Sequence, residues 1–238
     1  MNFVFETYHL TASKIASGEV PIRHCGVCFP HIVNLACKAI LAALSKYNYV
    51  DPQEPPNEAM TTVNADPVAT LRAVIRAIRA SSLRRQHFSA VCATYEIELQ
   101  LLRDVETRWS STLYMIDRAI HLEKPLDTIC SSREFPDLEK YKLTPEEWDA
   151  LVIVREILLV PDAFQQKLSA EKTPTLCGAL PSFDAMMEML NEKKALFGQP
   201  FSDIIDEGIK KLDAYHNRVA LVPAYTISMR MTLYLSFF

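Results

Sequence analysis

Soft metal ligands gather near the start of the chain, where Cys25-x-x-Cys28-x-x-His31 is followed by Cys37. Thiolates and imidazoles are the ligand types of tetrahedral zinc. The spacing argues against such a centre. Cys28, His31 and Cys37 fall on or beside one helix, whereas a closed site draws its second pair of ligands from a distant segment. The expectation is a packed helix start with reduced thiols and no metal site.

Two further groups suit phosphate. In Arg108-Trp109, a guanidinium can donate two parallel bonds to a phosphate and an indole offers a face to an unpaired base. The alternative is structural, with Trp109 anchoring a helix start and Arg108 paired to Asp104 or Glu106. Arg72, Arg76 and Arg79 follow i, i+4, i+7 spacing, Arg84 and Arg85 come just beyond, and no acidic residue occurs between Pro67 and Tyr95. Such a stripe could track a nucleic-acid backbone. Glu96, Glu98, Asp104 and Glu106 follow it, and neutralising the stripe is their alternative role.

Catalytic groups are expected to be absent. Two-metal phosphoryl transfer needs converging carboxylates, and before Cys28 the chain offers only Glu6 and Glu19. No G-x-S-x-G frames a nucleophile, and no G-x-G-x-x-G or G-x-x-x-x-G-K-[ST] loop cradles a phosphate. No cofactor and no small-molecule substrate is expected.

The elements that must position these groups are helical. Of 238 residues 49% are hydrophobic, enough for a substantial core, and only 5 are glycine, which favours helices over tight turns. The net charge of −4 gives no global attraction to nucleic acid, so contact must come from a local patch. The six cysteines form no framework, and Glu6 stands where a signal peptide would be basic, so an intracellular, reduced protein is expected. No apolar stretch reaches the roughly 18 residues of a membrane helix.

Apolar spacing predicts helices over about 30–47 and 68–92, with a third starting near Ser110. Thr144-Pro-Glu-Glu147 is a capping box ahead of Trp148, Leu151 and Val152, in a helix that Pro161 should kink or end. Two more helices are predicted at about 174–194 and 202–216. The proline-rich stretch at 51–67 reads as a linker. Only the termini suggest strand.

Five segments in order carry a resemblance. They are Cys28-Phe-Pro-His31-Ile-Val-Asn34-Leu35, Ile75-Arg76-Ala-Ile-Arg79-Ala-Ser81, Asp104-Val-Glu-Thr-Arg108-Trp109-Ser-Ser-Thr112, Leu180-Pro181 and Pro223-Ala-Tyr225-Thr-Ile-Ser-Met229. Together they resemble hAT-family DNA transposases over roughly residues 22 to 230. The resemblance implies a mainly α chain, the helical insertion domain of an RNase H-like fold whose core is incomplete. Residues 1–50 would be a remnant at the core's edge plus the C-x-x-H helix, 51–67 a linker and 68–238 the insertion-like domain.

By the same resemblance, cut-and-paste transposition is the ancestral role, Trp109 handles DNA ends beside Arg108, and His31 faces phosphate. Two of the family's three catalytic carboxylates precede the C-x-x-H motif, where this chain shows no D-N-A pattern, and the third lies beyond its last residue. The expectation is therefore a truncated or domesticated, catalytically inactive nuclear protein. Divalent metal, and zinc in a BED-type finger, belong to an intact relative. Possible partners are DNA through His31, Arg72, Arg76, Arg79, Arg108 and Trp109, or a second copy through the apolar run Leu233–Phe238. The alternative is a helical protein-interaction module without a nucleic-acid role.

Overall fold

Apolar residues at helical spacing become helices throughout the described chain, and none of the described residues lies in a strand. The computed structural model describes residues 29–46, 66–105, 108–169, 176–219, 225 and 227–230. Cys25, Cys28, Glu6, Glu19, Glu106, Pro223, most of the proline-rich segment and the C-terminal apolar run lie outside these residues. Two compact units are present, one formed by residues up to Ile40 with those from Val160 onward, the other by Leu41–Leu159. The division falls inside helices α1 (Phe29–Leu44) and α6 (Pro145–Leu168). No described helix is long and apolar enough to cross a membrane.

In the first unit, Ile32, Ala36, Cys37 and Ile40 recur at i, i+4, i+5, i+8 and are all buried. They share this unit's core with Leu180, Phe183, Met186 and Leu190 of α7 (Ala179–Phe197) and Ile204, Ile205 and Leu212 of α8 (Phe201–Val219). Phe29 meets Phe183 edge to face at 4.7 Å. Burial pushes the Cys37 thiol up, and Asp162 adds to that, which leaves an inert core thiol rather than a ligand. The α7–α8 turn passes through Gly198 at φ 62°, a left-handed conformation that glycine adopts without steric cost.

The second unit begins its main helical run with α2 (Pro67–Ala80), whose start is over-determined. The Asp66 side chain accepts the Val68 and Ala69 amides at 2.9 and 3.1 Å, Ser45 donates to the same carboxylate, and Pro67 occupies the first turn. Leu71, Val74, Ile75 and Ile78 are the buried stripe that the spacing predicts. The single helix expected over 68–92 is in fact two. Ser81, at φ −112° and ψ 131°, ends α2 and caps α3 (Ser82–Thr94) by accepting the Arg84 amide. The physical reason is that no side chain between Ile78 and Phe88 is buried, so no core holds the helix straight across the Ser81-Ser82 pair.

An irregular stretch, described over 95–105, precedes α4 (Trp109–His121), and α5 (Glu123–Cys130) follows at once. A 3₁₀ segment at Pro136–Tyr141 comes before α6. The Thr144 capping box forms in full, with the Thr144 amide donating to Glu147 Oε2 at 2.8 Å and the Glu147 amide to Thr144 Oγ1 at 3.3 Å. Past Pro161, α6 continues to Leu168 instead of ending. The proline ring is buried, so its packing offsets part of the missing backbone bond.

Gly208 of α8 tests packing against propensity. A Cβ there would lie 2.6 Å from both Cγ1 and Cδ1 of Ile40, a stiff side chain at 1% exposure. Gly208→Ala should gain about 1 kcal/mol of helix propensity and lose about 1–3 kcal/mol to overpacking. Net destabilisation in urea unfolding is expected; a net gain would show that α1 and α8 yield.

Candidate functional site

The D-x-x-T-R-W-x-S-T segment folds around its aspartate. Asp104 is 5% exposed at its side chain, and its carboxylate accepts from Arg72 Nε of α2, from Ser111 Oγ at 2.6 Å and from Thr112 Oγ1 at 3.1 Å. Ser111 Oγ also accepts the Val105 amide at 2.8 Å. One carboxylate thus ties α2, the irregular stretch and the first turn of α4 together. Burial alone would push this carboxyl up. The hydrogen bonds from Ser111 and Arg72, the Arg72 charge and the Thr112 hydroxyl outweigh it and hold the group below the ordinary carboxylate range.

Beside this clamp lies a groove of about 720 Å³ lined by Arg72, Arg76, Arg79 and Arg103, with Asp104 as its acidic member and Ile75 and Met115 among its apolar walls. The four arginines have different fates. Arg72, 25% exposed, is committed to Asp104. Arg79 Nη1 donates to the Leu101 carbonyl at 2.7 Å and pins the irregular stretch to α2, while its helical position stays exposed. Arg76 and Arg103 are exposed, and neither has a recorded partner among the described residues. With Arg72 paired to the one lining carboxylate, the other three guanidinium groups leave the cleft positively charged.

The residues singled out by sequence are only partly brought together. Arg72, Arg76 and Arg79 share the groove. Arg84 does not join them, because it grips Asp137 with both carboxylate oxygens at 2.9 and 2.7 Å and lies over Phe135. Arg108 is exposed at the start of α4 but does not line the groove, and its expected pairing with Asp104 is absent. His31 is exposed on α1 in the first unit, whereas every arginine of the groove belongs to the second.

Trp109 requires a correction. As the first residue of α4 it turns into the core at 3% exposure, leaving no free indole face for a base. Its packing role is the structural alternative weighed from sequence. Arg103 is the groove residue that sequence reasoning missed. Its one signal in the sequence is its place immediately before Asp104, at the start of the D-x-x-T-R-W-x-S-T segment.

Among the described residues no three His, Cys, Asp or Glu side chains converge as a metal site would require. The remaining hydroxyls around Asp104 serve structure, since Thr112 is buried and Ser111 is fully engaged by its neighbours.

The clamp has a pH signature. A carboxylate whose folded pKa is depressed stabilises fully above its unfolded value and loses that contribution as pH falls through the folded one. Stability should therefore drop on acidification from about pH 5 toward pH 2, and Asp104→Asn should flatten part of that slope. Glu147, whose carboxyl burial pushes up, contributes with the opposite sign, so the difference between wild type and Asp104→Asn is the quantity to read. Identical slopes in denaturant titrations would contradict the clamp.

Comparison with known proteins agrees with this reading of the helices. Residues 26–157 match the profile of the ZBED1 RNase-like helical domain, a span that holds the clamp and the groove. A Talaromyces stipitatus protein named "Putative transcriptional regulator tpeD" is 28% identical over 183 residues, which cover 74% of this chain and 21% of that protein. The chain thus spans about a fifth of the length of this curated relative. No solved structure matches. With the matched span taking in more than half of its residues, this chain belongs to the ZBED1 RNase-like helical domain family.

Proposed function

We propose that this helical domain derives from an hAT-type transposase and contacts nucleic acid through phosphate rather than cutting it. The observation that carries the reading is the groove of Arg72, Arg76, Arg79 and Arg103. Arg76 and Arg103 offer exposed guanidinium groups in it, and Arg79 holds the wall that presents them. Phosphate contacts of this kind position a domain without reading sequence. With Trp109 buried, stacking on an unpaired base is not part of the proposal. Duplex DNA is the expected partner, and the regulator among the relatives supports a regulatory, nuclear setting.

Nuclease chemistry at these residues is not part of the proposal. Two-metal transfer needs carboxylates free to hold ions. Asp104, the carboxylate of the most informative motif, is instead spent on Arg72, Ser111 and Thr112. His31, on the first unit, carries no part of the groove reading.

A second reading has its own observation. Leu99, Leu102 and Val105 are exposed along the irregular stretch beside the arginines, an apolar strip that suits a protein partner. Leu99→Ser with Leu102→Ser, neither of which lines the groove, would leave phosphate binding intact and abolish such a partner's binding.

Fluorescence anisotropy with duplex DNA at 50 and 200 mM salt tests the phosphate reading. Binding should be weak, salt-sensitive and similar across sequences. Arg76→Ala and Arg103→Ala should each weaken it and lower the salt slope by about one, and Trp109→Phe should leave the salt slope unchanged. Absence of salt-dependent binding by the wild type would reject the proposal.

A further inference from the structure

The junction between α2 and α3 carries a group that neither the clamp nor the groove uses. Ser81 and Ser82 stand between the helices, and their hydroxyls have different roles. Ser81 caps α3 by accepting the Arg84 amide, whereas Ser82 is exposed at the first position of α3 with no recorded side-chain partner among the described residues. Ser82 lines a second hollow, of about 330 Å³, together with Arg79, Arg85, Gln86 and Ser89. Arg79 is common to this hollow and the arginine groove. Leu83, immediately after, is 57% exposed and takes no part in the core.

From these observations we infer that Ser82 is a phosphorylation site for an arginine-directed serine kinase, and that its phosphate closes the arginine groove to nucleic acid. Kinases of this class recognise a guanidinium three residues before the acceptor and an apolar side chain just after it. Arg79-Ala-Ser-Ser82-Leu83 supplies both: Leu83 is exposed, and Arg79, at an exposed helical position, exchanges its bond to the Leu101 carbonyl for the kinase. The residue before the acceptor already has extended backbone, at φ −112° and ψ 131°. The flanking last turn of α2 and first turn of α3 hold no buried side chain between Ile78 and Phe88, so entry into an active site disrupts surface bonds, those of Arg79 to the Leu101 carbonyl and of Arg84 to Asp137, rather than core packing.

The chemistry balances. Ser82 Oγ attacks the γ-phosphorus of ATP, the bond to the bridging oxygen breaks, ADP leaves, and the hydroxyl proton passes to the kinase's base. The product places about two negative charges at the first turn of a 13-residue helix, among its free amides and within the hollow that Arg79 and Arg85 line. Two consequences follow. The start of α3 is stabilised, and Arg79 is drawn to an internal phosphate while the added charge repels an external one. Only the second consequence rests on the nucleic-acid reading above.

The test incubates the full chain with ATP, magnesium and an arginine-directed serine kinase, then follows mass, hydrogen exchange and DNA anisotropy. One phosphoryl group is expected on Ser82, none there in Ser82→Ala, and undiminished labelling of Ser82 in Ser81→Ala. Phosphorylated protein should bind duplex about tenfold more weakly at 50 mM salt, and Ser82→Ala treated in the same way should bind as the untreated wild type does. No phosphate on Ser82 overturns the assignment. Phosphate on Ser82 with unchanged duplex affinity, in a protein that binds before treatment, overturns the control of the groove. If the untreated protein does not bind DNA, the nucleic-acid reading is what fails. Exchange across residues 82–88 then decides the remaining claim, since slower exchange after phosphorylation supports it and unchanged or faster exchange overturns it.

Discussion

A carboxylate at 5% exposure must either take up a proton or be surrounded by donors, and Asp104 is surrounded. Arg72 reaches it from α2, while Ser111 and Thr112 reach it from the first turn of α4. Removing this one acceptor would strand a guanidinium and the hydroxyl of a buried threonine, whereas Ser111 keeps the Val105 and Arg108 carbonyls. The bond set also explains why α4 begins where it does. Arg108, the residue before it, makes no side-chain cap, and the helix start is held by contacts from its own first turn to Asp104 and the Val105 amide.

The clamp decides what the neighbouring arginines can do. By taking Arg72 it neutralises the acidic member of the groove, so Arg76 and Arg103 face solvent with no competing carboxylate among the lining residues. Arg79 and Arg118 then fix the irregular stretch by donating to the Leu101 and Gln100 carbonyls at 2.7 and 2.8 Å. A segment without regular secondary structure is thus held by two side chains, and it carries both Arg103 and the exposed leucines. An acidic overall charge is compatible on this basis with a locally positive cleft, because the charge that matters is the one lining it.

Much of the helical order was legible in the chain itself. The stripe from Leu71 to Ile78 and the Thr144–Glu147 box form as their spacing predicts, because each is a local pattern in which neighbours in sequence are neighbours in space. The break at Ser81 was missed because arginines with long aliphatic stems continue a helical pattern on paper even where nothing is buried. The short α5 was missed because eight residues give little period to recognise. At the site, residue type pointed to Arg76 and Arg79, which share the groove, while the direction each side chain takes depended on partners far away in the chain. Arg84 is drawn off by Asp137, Arg72 by Asp104, and Trp109 by the core, none of which a spacing rule contains.

Hydrogen exchange on Asp104→Ala, compared with wild type at neutral pH, tests the clamp most directly. If Asp104 joins α2 to the start of α4, amides around Arg72 and those of residues 110–113 should lose protection together, while those of α3 keep theirs. Unchanged protection in both segments would contradict the account, because the D-x-x-T-R-W-x-S-T motif would then be doing something other than holding these two helices in place.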